Sequence, residues 1–178
     1  MPEVKDSLVK LVQRGDEGAF EQIFIEFQPK LFRFLWHMLQ SEEAANDLIQ
    51  NIFLKIWKNR HSWQPGASIS SYLYRAAKNA ALNYQRDLQK GRFEEITDKQ
   101  ESGERTSALA ENNEMQERIK KCIDALPAGC RSVFVLSRYE DSKYREIAEK
   151  LDISPRTVEN QMGRALRLLR ECLRPIMR

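Results

Sequence analysis

Apolar residues in this chain recur three and four positions apart almost everywhere and alternate almost nowhere. A period near 3.6 buries one face of a helix, whereas a half-buried strand needs a period of two. The clearest run is Ala45, Leu48, Ile49, Ile52, Phe53 and Ile56, one stripe of a helix facing a core. Ser41 precedes it as an N-cap, and Glu42 and Glu43 suit the positive end of the helix dipole. The same period marks Leu8–Val12, ended by Gly15, then Ala19–Phe27, stopped before Pro29, and Leu31–Leu39. It resumes over Ser71–Arg86, Met115–Leu126, Cys130–Tyr139, Tyr144–Leu151 and a last helix after Ser154. His61–Ser70, with Pro65 and Gly66, reads as a loop. The expected fold is all-α: two small helical domains joined by a flexible acidic linker, the C-terminal one a helix–turn–helix.

Charge divides the chain in the same way. Residues 1–86 carry a net +2, residues 87–117 a net −5 and residues 118–178 a net +6. The acidic block has few large apolar side chains and cannot bury enough surface to fold alone. It reads as a linker, or towards Leu109–Glu117 as a solvated helix. Domains are expected at 1–88 and 112–178, with a linker at 89–111. The longest apolar run, Leu31–Leu39, is broken by Arg33 and His37 and falls short of a membrane span, and no apolar leader is visible at the N-terminus. A cytoplasmic protein without membrane insertion is expected. Cys122, Cys130 and Cys172 lack paired spacing and read as free thiols. With only two histidines and no Cys-x-x-Cys, no metal site is expected. Neither a nucleophile triad, a carboxylate pair nor a Gly-rich phosphate loop is seen, so no enzyme and no cofactor are expected.

The C-terminal third has the grammar of a DNA reader. Ile147, Ala148, Leu151 and Ile153 can pack inward, and small Ala148 lets two helices cross closely. Asp152 sits in the turn, where a left-handed backbone is needed and Asp tolerates it. Ser154 can cap the next helix, and Pro155 fits its first position. Val158, Met162, Ala165 and Leu169 form one apolar stripe on that helix. The opposite face offers Arg156, Glu159, Asn160, Gly163, Arg164 and Arg167. Amides and cations near the N-terminus of such a helix reach base edges, and arginines grip phosphates.

A second surface lies in the middle of the chain. From Leu48 to Arg86 there is no Asp or Glu, and from Lys55 onward six Lys and Arg are interleaved with Trp57, Trp63, Tyr72, Tyr74 and Tyr84. Tyr72, Arg75, Asn79, Asn83 and Arg86 fall within an arc of about 80° on one helix. Cations suit a phosphate backbone, amides suit base edges, and a ring can stack on an unpaired base. Trp63 is equally suited to anchoring the loop in a core.

These residues carry a family resemblance. Gly15-Asp16-x-x-Ala19-Phe20, Ala45-x-Asp47-Leu48-Ile49-Gln50-x-x-Phe53-Leu54-x-x-Trp57 and Tyr72-Leu73-Tyr74-Arg75-x-Ala77-Lys78-Asn79 resemble the N-terminal domain of bacterial RNA polymerase sigma factors of the extracytoplasmic-function group. Leu126-Pro127, Glu146-Ile147-Ala148 and Thr157-Val158-x-x-x-x-x-Arg164-Ala165 resemble their C-terminal domain. The resemblance implies that Asp47, Leu48, Gln50 and Asn51 dock on core RNA polymerase. It implies that Arg60, Trp63, Ser68, Tyr72, Arg75, Lys78, Asn79, Asn83 and Arg86 open and read the −10 promoter element as a single strand. Arg156, Thr157, Glu159, Asn160, Arg164 and Arg167 would read the −35 element as duplex. An anti-sigma factor that inserts between the two domains is a further implied partner. Asn51 stands where the family usually has an acidic residue, Tyr72 where it often has Trp, Asn83 where it often has Asp, and Asp152 where it often has Gly. A free-standing helix–turn–helix regulator would share the C-terminal pattern but has no need of the acid-free aromatic run. An adaptor that touches no nucleic acid would not need the basic asymmetry.

Overall fold

The computed structural model describes residues 2–66, 68–95 and 110–174. Eight α-helices are present among them: α1 (Pro2–Gln13), α2 (Glu17–Leu39), α3 (Glu42–Lys58), α4 (Ile69–Glu95), α5 (Ala110–Asp124), α6 (Ala128–Tyr139), α7 (Tyr144–Leu151) and α8 (Pro155–Leu173). A 3-10 turn at Arg60–Ser62 opens the connection from α3 to α4.

Local chemistry sets most of the boundaries. Asp16 accepts a hydrogen bond from the Ala19 amide (2.8 Å), Ser41 from Ala44 (3.2 Å) and Ser154 from Thr157 (3.0 Å). Each satisfies one of the orphan donors at a helix start, a contribution of about 1 kcal/mol. Gly15 adopts φ +89°, which ends α1, and Asp152 adopts φ 54° in the turn between α7 and α8.

The expected break at Pro29 is corrected, because α2 is one helix of 23 residues. Proline removes a backbone bond and crowds the preceding turn. Here Ile23, Phe27, Leu31, Phe34, Leu35 and Met38 are buried on both sides of it while Pro29 is exposed. Burial of that unbroken stripe outweighs the local penalty. Residues 89–95, expected in the linker, continue α4, and α5 already begins at Ala110. The rest of the expected linker, residues 96–109, lies outside the described residues.

The helices share a core. One buried cluster runs from Val12, Leu31 and Phe34 through Phe53, Leu73 and Tyr74 to Leu136, Ile147, Val158 and Met162. A smaller one joins α5, α6 and α8 through Cys122, Ile123, Leu126, Cys130, Ala165 and Leu169. The expectation of three free thiols is corrected in the same place. Cys122 and Cys172 are bonded to each other, and Cys130 alone is free and buried. The packing of α5 along α8 brings together residues fifty apart in sequence, a proximity that sequence spacing does not reveal. No helix of the described residues is long and apolar enough to cross a membrane.

Candidate nucleic-acid and polymerase interface

On α3, burial of Ala45, Ile49, Ile52, Phe53 and Ile56 turns the other flank outward. Asp47, Gln50 and Asn51 are exposed there, and Leu48 is half-buried against the core. Beside them lies a groove of about 480 Å³ lined by Glu17, Phe20, Phe24, Gln50, Phe53, Leu54 and Trp57. Its floor is a ring cluster: Phe24 meets Phe53 edge-on at 4.9 Å, and Phe20 lies 4.9 Å from Trp57. Leu54 is 52% exposed at the rim. Sequence reasoning missed this groove. Its signal was Leu54, an apolar residue off the buried stripe on a face that otherwise carries polar side chains.

The loop before α4 is tied down at several points. The Trp63 side chain is only 4% exposed, and its ring meets Tyr72 edge-on at 5.9 Å. Gln13 Nε2 donates to the Trp63 carbonyl (2.8 Å). The indole is therefore a loop anchor in this conformation, and it offers no face to a base. Arg60 donates from Nη1 to the Trp57 carbonyl (2.9 Å), and its guanidinium lies 4.6 Å over the Trp57 ring. Ser68 caps the first turn of α4, accepting from the Ser71 amide at 3.0 Å.

Along α4, Leu73, Tyr74, Ala77 and Ala81 are buried. Tyr74, grouped by sequence with the nucleic-acid-facing rings, therefore belongs to the core. Tyr72 and Lys78 are half-buried, while Asn79, Asn83 and Arg86 are exposed. Arg75 Nη1 is paired with Asp152 Oδ2 at 2.6 Å. The expected strip exists, but Arg75 within it is in contact with the turn after α7.

On α8, Val158, Met162, Ala165 and Leu169 are buried. Arg156, Glu159, Asn160, Gly163, Arg164 and Arg167 are exposed on the opposite side. Thr157 is half-buried, with Oγ1 2.8 Å from Ser154 Oγ. A Cβ at Gly163 would meet nothing within 4 Å. An interior helical glycine costs about 1 kcal/mol against alanine, and no packing inside the chain requires it.

Between α2 and α6 sits a charged and aromatic seam. Arg33 Nε lies 3.3 Å from Glu140 Oε1, whose side chain is almost wholly buried, and His37 stacks on Tyr139 at 3.6 Å. Burial pushes the Glu140 carboxyl above its usual range, and Arg33 and Lys150 pull it back. Burial first and Arg33 second hold the His37 imidazole below its ordinary value of 6.5. The packed state therefore favours neutral His37. Its contribution is present above pH 6.5 and is lost as pH falls through the lowered value. We expect an NMR titration to place His37 below 6.5, and Arg33→Gln to raise it; an unshifted imidazole in both chains would contradict the contact.

Comparison with known proteins fits this geometry. The pattern of Sigma-70 region 2 is matched by residues 23–91 and that of Sigma-70, region 4 by residues 116–169, together more than half of the chain. The chain is 25% identical over 189 residues to the RNA polymerase sigma-H factor of Pseudomonas aeruginosa, covering 99% of this chain and 97% of that one. It is 27% identical over 184 residues to the ECF RNA polymerase sigma-E factor of Escherichia coli, covering 96% and 95%. Two solved structures share the fold at 22% identity. CnrH in complex with the cytosolic domain of CnrY has a TM-score of 0.67, covering 96% of this chain and 97% of that one. The sigma factor RpoE in complex with the anti-sigma factor NepR from Bartonella quintana has 0.61, covering 87% and 96%.

Proposed function

The chain belongs to the sigma-70 family of RNA polymerase sigma factors, in the extracytoplasmic-function group, and directs core polymerase to promoters; we propose that it divides this work among three surfaces. The outer flank of α3, with Asp47, Leu48, Gln50 and Asn51, docks on the polymerase, and the adjoining groove of Phe20, Phe24, Leu54 and Trp57 receives an apolar segment of it. The strip on α4 holds the opened −10 strand: Tyr72 stacks on an unpaired base, Asn79 and Asn83 meet base edges, and Arg75, Lys78 and Arg86 neutralise phosphates. Ser68, Arg60 and Trp63 shape the loop that leads into that strip. The exposed side of α8 enters the major groove at the −35 element, with Arg156, Glu159, Asn160 and Arg164 towards base edges and Arg167 towards phosphate. Thr157 stays at the cap and approaches the backbone. Gly163 lets the helix come close to DNA, which offsets its propensity cost.

The observation that carries this reading is the outward side of α8. Arginines, an amide and a glycine are exposed there, on the side away from a buried stripe. The functional division follows residues 1–88 and 112–178, with the acidic segment between them as tether. A tether lets one chain hold two spaced DNA elements at raised effective concentration. The protein acts in the cytoplasm, where the polymerase is. It contributes binding energy to promoter opening and carries no catalytic group of its own. An anti-sigma factor is a fitting partner, since a solved relative of the same fold is held by one.

Permanganate footprinting of promoter complexes tests the −10 assignment. Tyr72→Ala is expected to slow open-complex formation by roughly five- to 150-fold, the loss of about 1–3 kcal/mol of stacking per base, with closed-complex binding little changed. Arg75→Ala is expected to weaken both and to reduce the salt dependence. Equal loss of both complexes in Tyr72→Ala would show that the ring is only structural.

A further inference from the structure

Helix α5 is anchored at its C-terminal end. Of its side chains from Met115 to Asp124, only Cys122 and Ile123 are buried, and Met115–Ile119 are all exposed. Its main neighbour is α8, and the apolar contact is small. Cys122, Ile123 and, just past the helix, Leu126 meet Cys130 of α6 and Ala165 and Leu169 of α8. Asp124 adds a long ion pair, 3.8 Å, to Arg131. The bond from Cys122 to Cys172 closes this contact across 50 residues of chain. Its two sulfurs belong to residues in different settings. Cys122 is 5% exposed, whereas Cys172 lies exposed in the last turn of α8.

This placement bears on the chemistry of the bond. A reducing cytoplasm keeps thiols free, and a disulfide that forms there is as a rule transient and redox-sensing. Exchange needs a thiolate to reach one of the two sulfurs. Cys172 supplies that access and Cys122 does not. The same asymmetry serves oxidation: an accessible thiol reacts first, and a buried partner within bonding reach condenses with the product. Cys130, free and buried, stays outside the couple.

We propose that Cys122 and Cys172 form a reversible oxidation site whose substrate is a hydroperoxide, and that their bond sets the hold of α5 on the DNA-reading helix. Cys172 Sγ attacks the terminal oxygen of the hydroperoxide and the O–O bond breaks. Cys172 becomes a sulfenic acid, and the thiol proton ends on the departing alkoxide or hydroxide. The Cys122 thiol then displaces the sulfenic hydroxyl as water, and the S–S bond forms. The two thiols lose two electrons and the hydroperoxide gains them; a cellular dithiol attacking at Cys172 returns them. In the oxidised chain α5 is tied over the Ala165 and Leu169 part of the α8 stripe. In the reduced chain that cover rests on Ile123, Leu126 and the Asp124–Arg131 pair. The inference rests on the −35 and cytoplasmic assignments made above. If reduction leaves the docked form of α5 at about a tenth of the population, apparent affinity for a −35 duplex falls about tenfold.

The test uses the full chain in glutathione buffers of graded ratio, with hydrogen peroxide as oxidant. The probe is a −35 duplex from a promoter identified by run-off transcription. Alkylation followed by mass spectrometry should find the bond half-reduced at an intermediate glutathione ratio and restored by peroxide. Reduction should lower the melting midpoint by roughly 10 °C and the −35 affinity about five- to tenfold. Cys122→Ser should hold the chain in the low-affinity form under both conditions, and a sulfenic-acid trap should label its Cys172 after peroxide. Cys172→Ser, a change at an exposed position, should give the same low affinity. Cys130→Ala should leave the cycle unchanged. A bond that resists every glutathione ratio would be a permanent staple and would overturn the switch, as would thiols that peroxide does not join. A lower midpoint with unchanged DNA affinity would overturn the coupling through the failure of the −35 assignment. A reversible bond that moves neither would overturn it with −35 binding intact.

Discussion

Replacing Trp63 by alanine is expected to destabilise the N-terminal half by about 3–5 kcal/mol, the usual cost of deleting a large buried aromatic. The indole is almost fully enclosed, braces Tyr72 edge-on and sits on a backbone that Gln13 holds from α1. Its loss would leave a cavity under the loop and release the ring proposed to stack on an unpaired base. Urea unfolding should show a lower midpoint, and open-complex formation should fail even where the fold survives at low temperature. Trp63→Phe retains part of the contact and should recover part of both. An unchanged midpoint in Trp63→Ala would show that the loop is held by other groups and would return the indole to a direct role on DNA.

The second large effect concerns polymerase. Asp47→Ala combined with Gln50→Ala is expected to weaken core binding by at least about 2 kcal/mol, roughly thirtyfold or more, the threshold of an interface hot spot. Both side chains are exposed on the α3 flank, so stability should move by no more than about 0.5 kcal/mol each. Native circular dichroism with unchanged affinity for core polymerase would refute the docking assignment.

Which parts of this molecule were legible in its sequence follows from the range of the forces involved. The caps at Ser41 and Ser154, the left-handed Asp152 and the α8 stripe are decided within one or two helical turns. Propensity, capping and period report these directly. The continuity of α2 through Pro29 was not legible, because the stripe from Ile23 to Met38 wins only once α3, α4 and α6 cover it. The Cys122–Cys172 bond needed the approach of α5 to α8.

The candidate site divides in the same way. The outward residues of α8 follow from helical phase alone, and their exposure agrees with it; those of α3 were named by the family resemblance, and Asp47, Gln50 and Asn51 are exposed. A ring beside a loop has the same sequence signature as anchor and as base contact, so the sequence does not choose between them for Trp63; its burial decides for anchor in this conformation. Arg75 read as a free cation because its partner, Asp152, is 77 residues away. Leu54 marked the groove, but the rings of Phe20 and Phe24 that complete it come from another helix. Assignment to polymerase, −10 strand or −35 duplex came from the family resemblance; periodicity supplies a face and not the molecule that meets it.

Run-off transcription with purified core polymerase, this chain and a library of bacterial genomic promoter fragments tests the account most directly. The account predicts discrete start sites that depend on the added chain, share a −10 and a −35 element, and disappear with the Asp47→Ala, Gln50→Ala variant. Transcription no different from core polymerase alone, with the chain co-eluting with the enzyme on gel filtration, would contradict it.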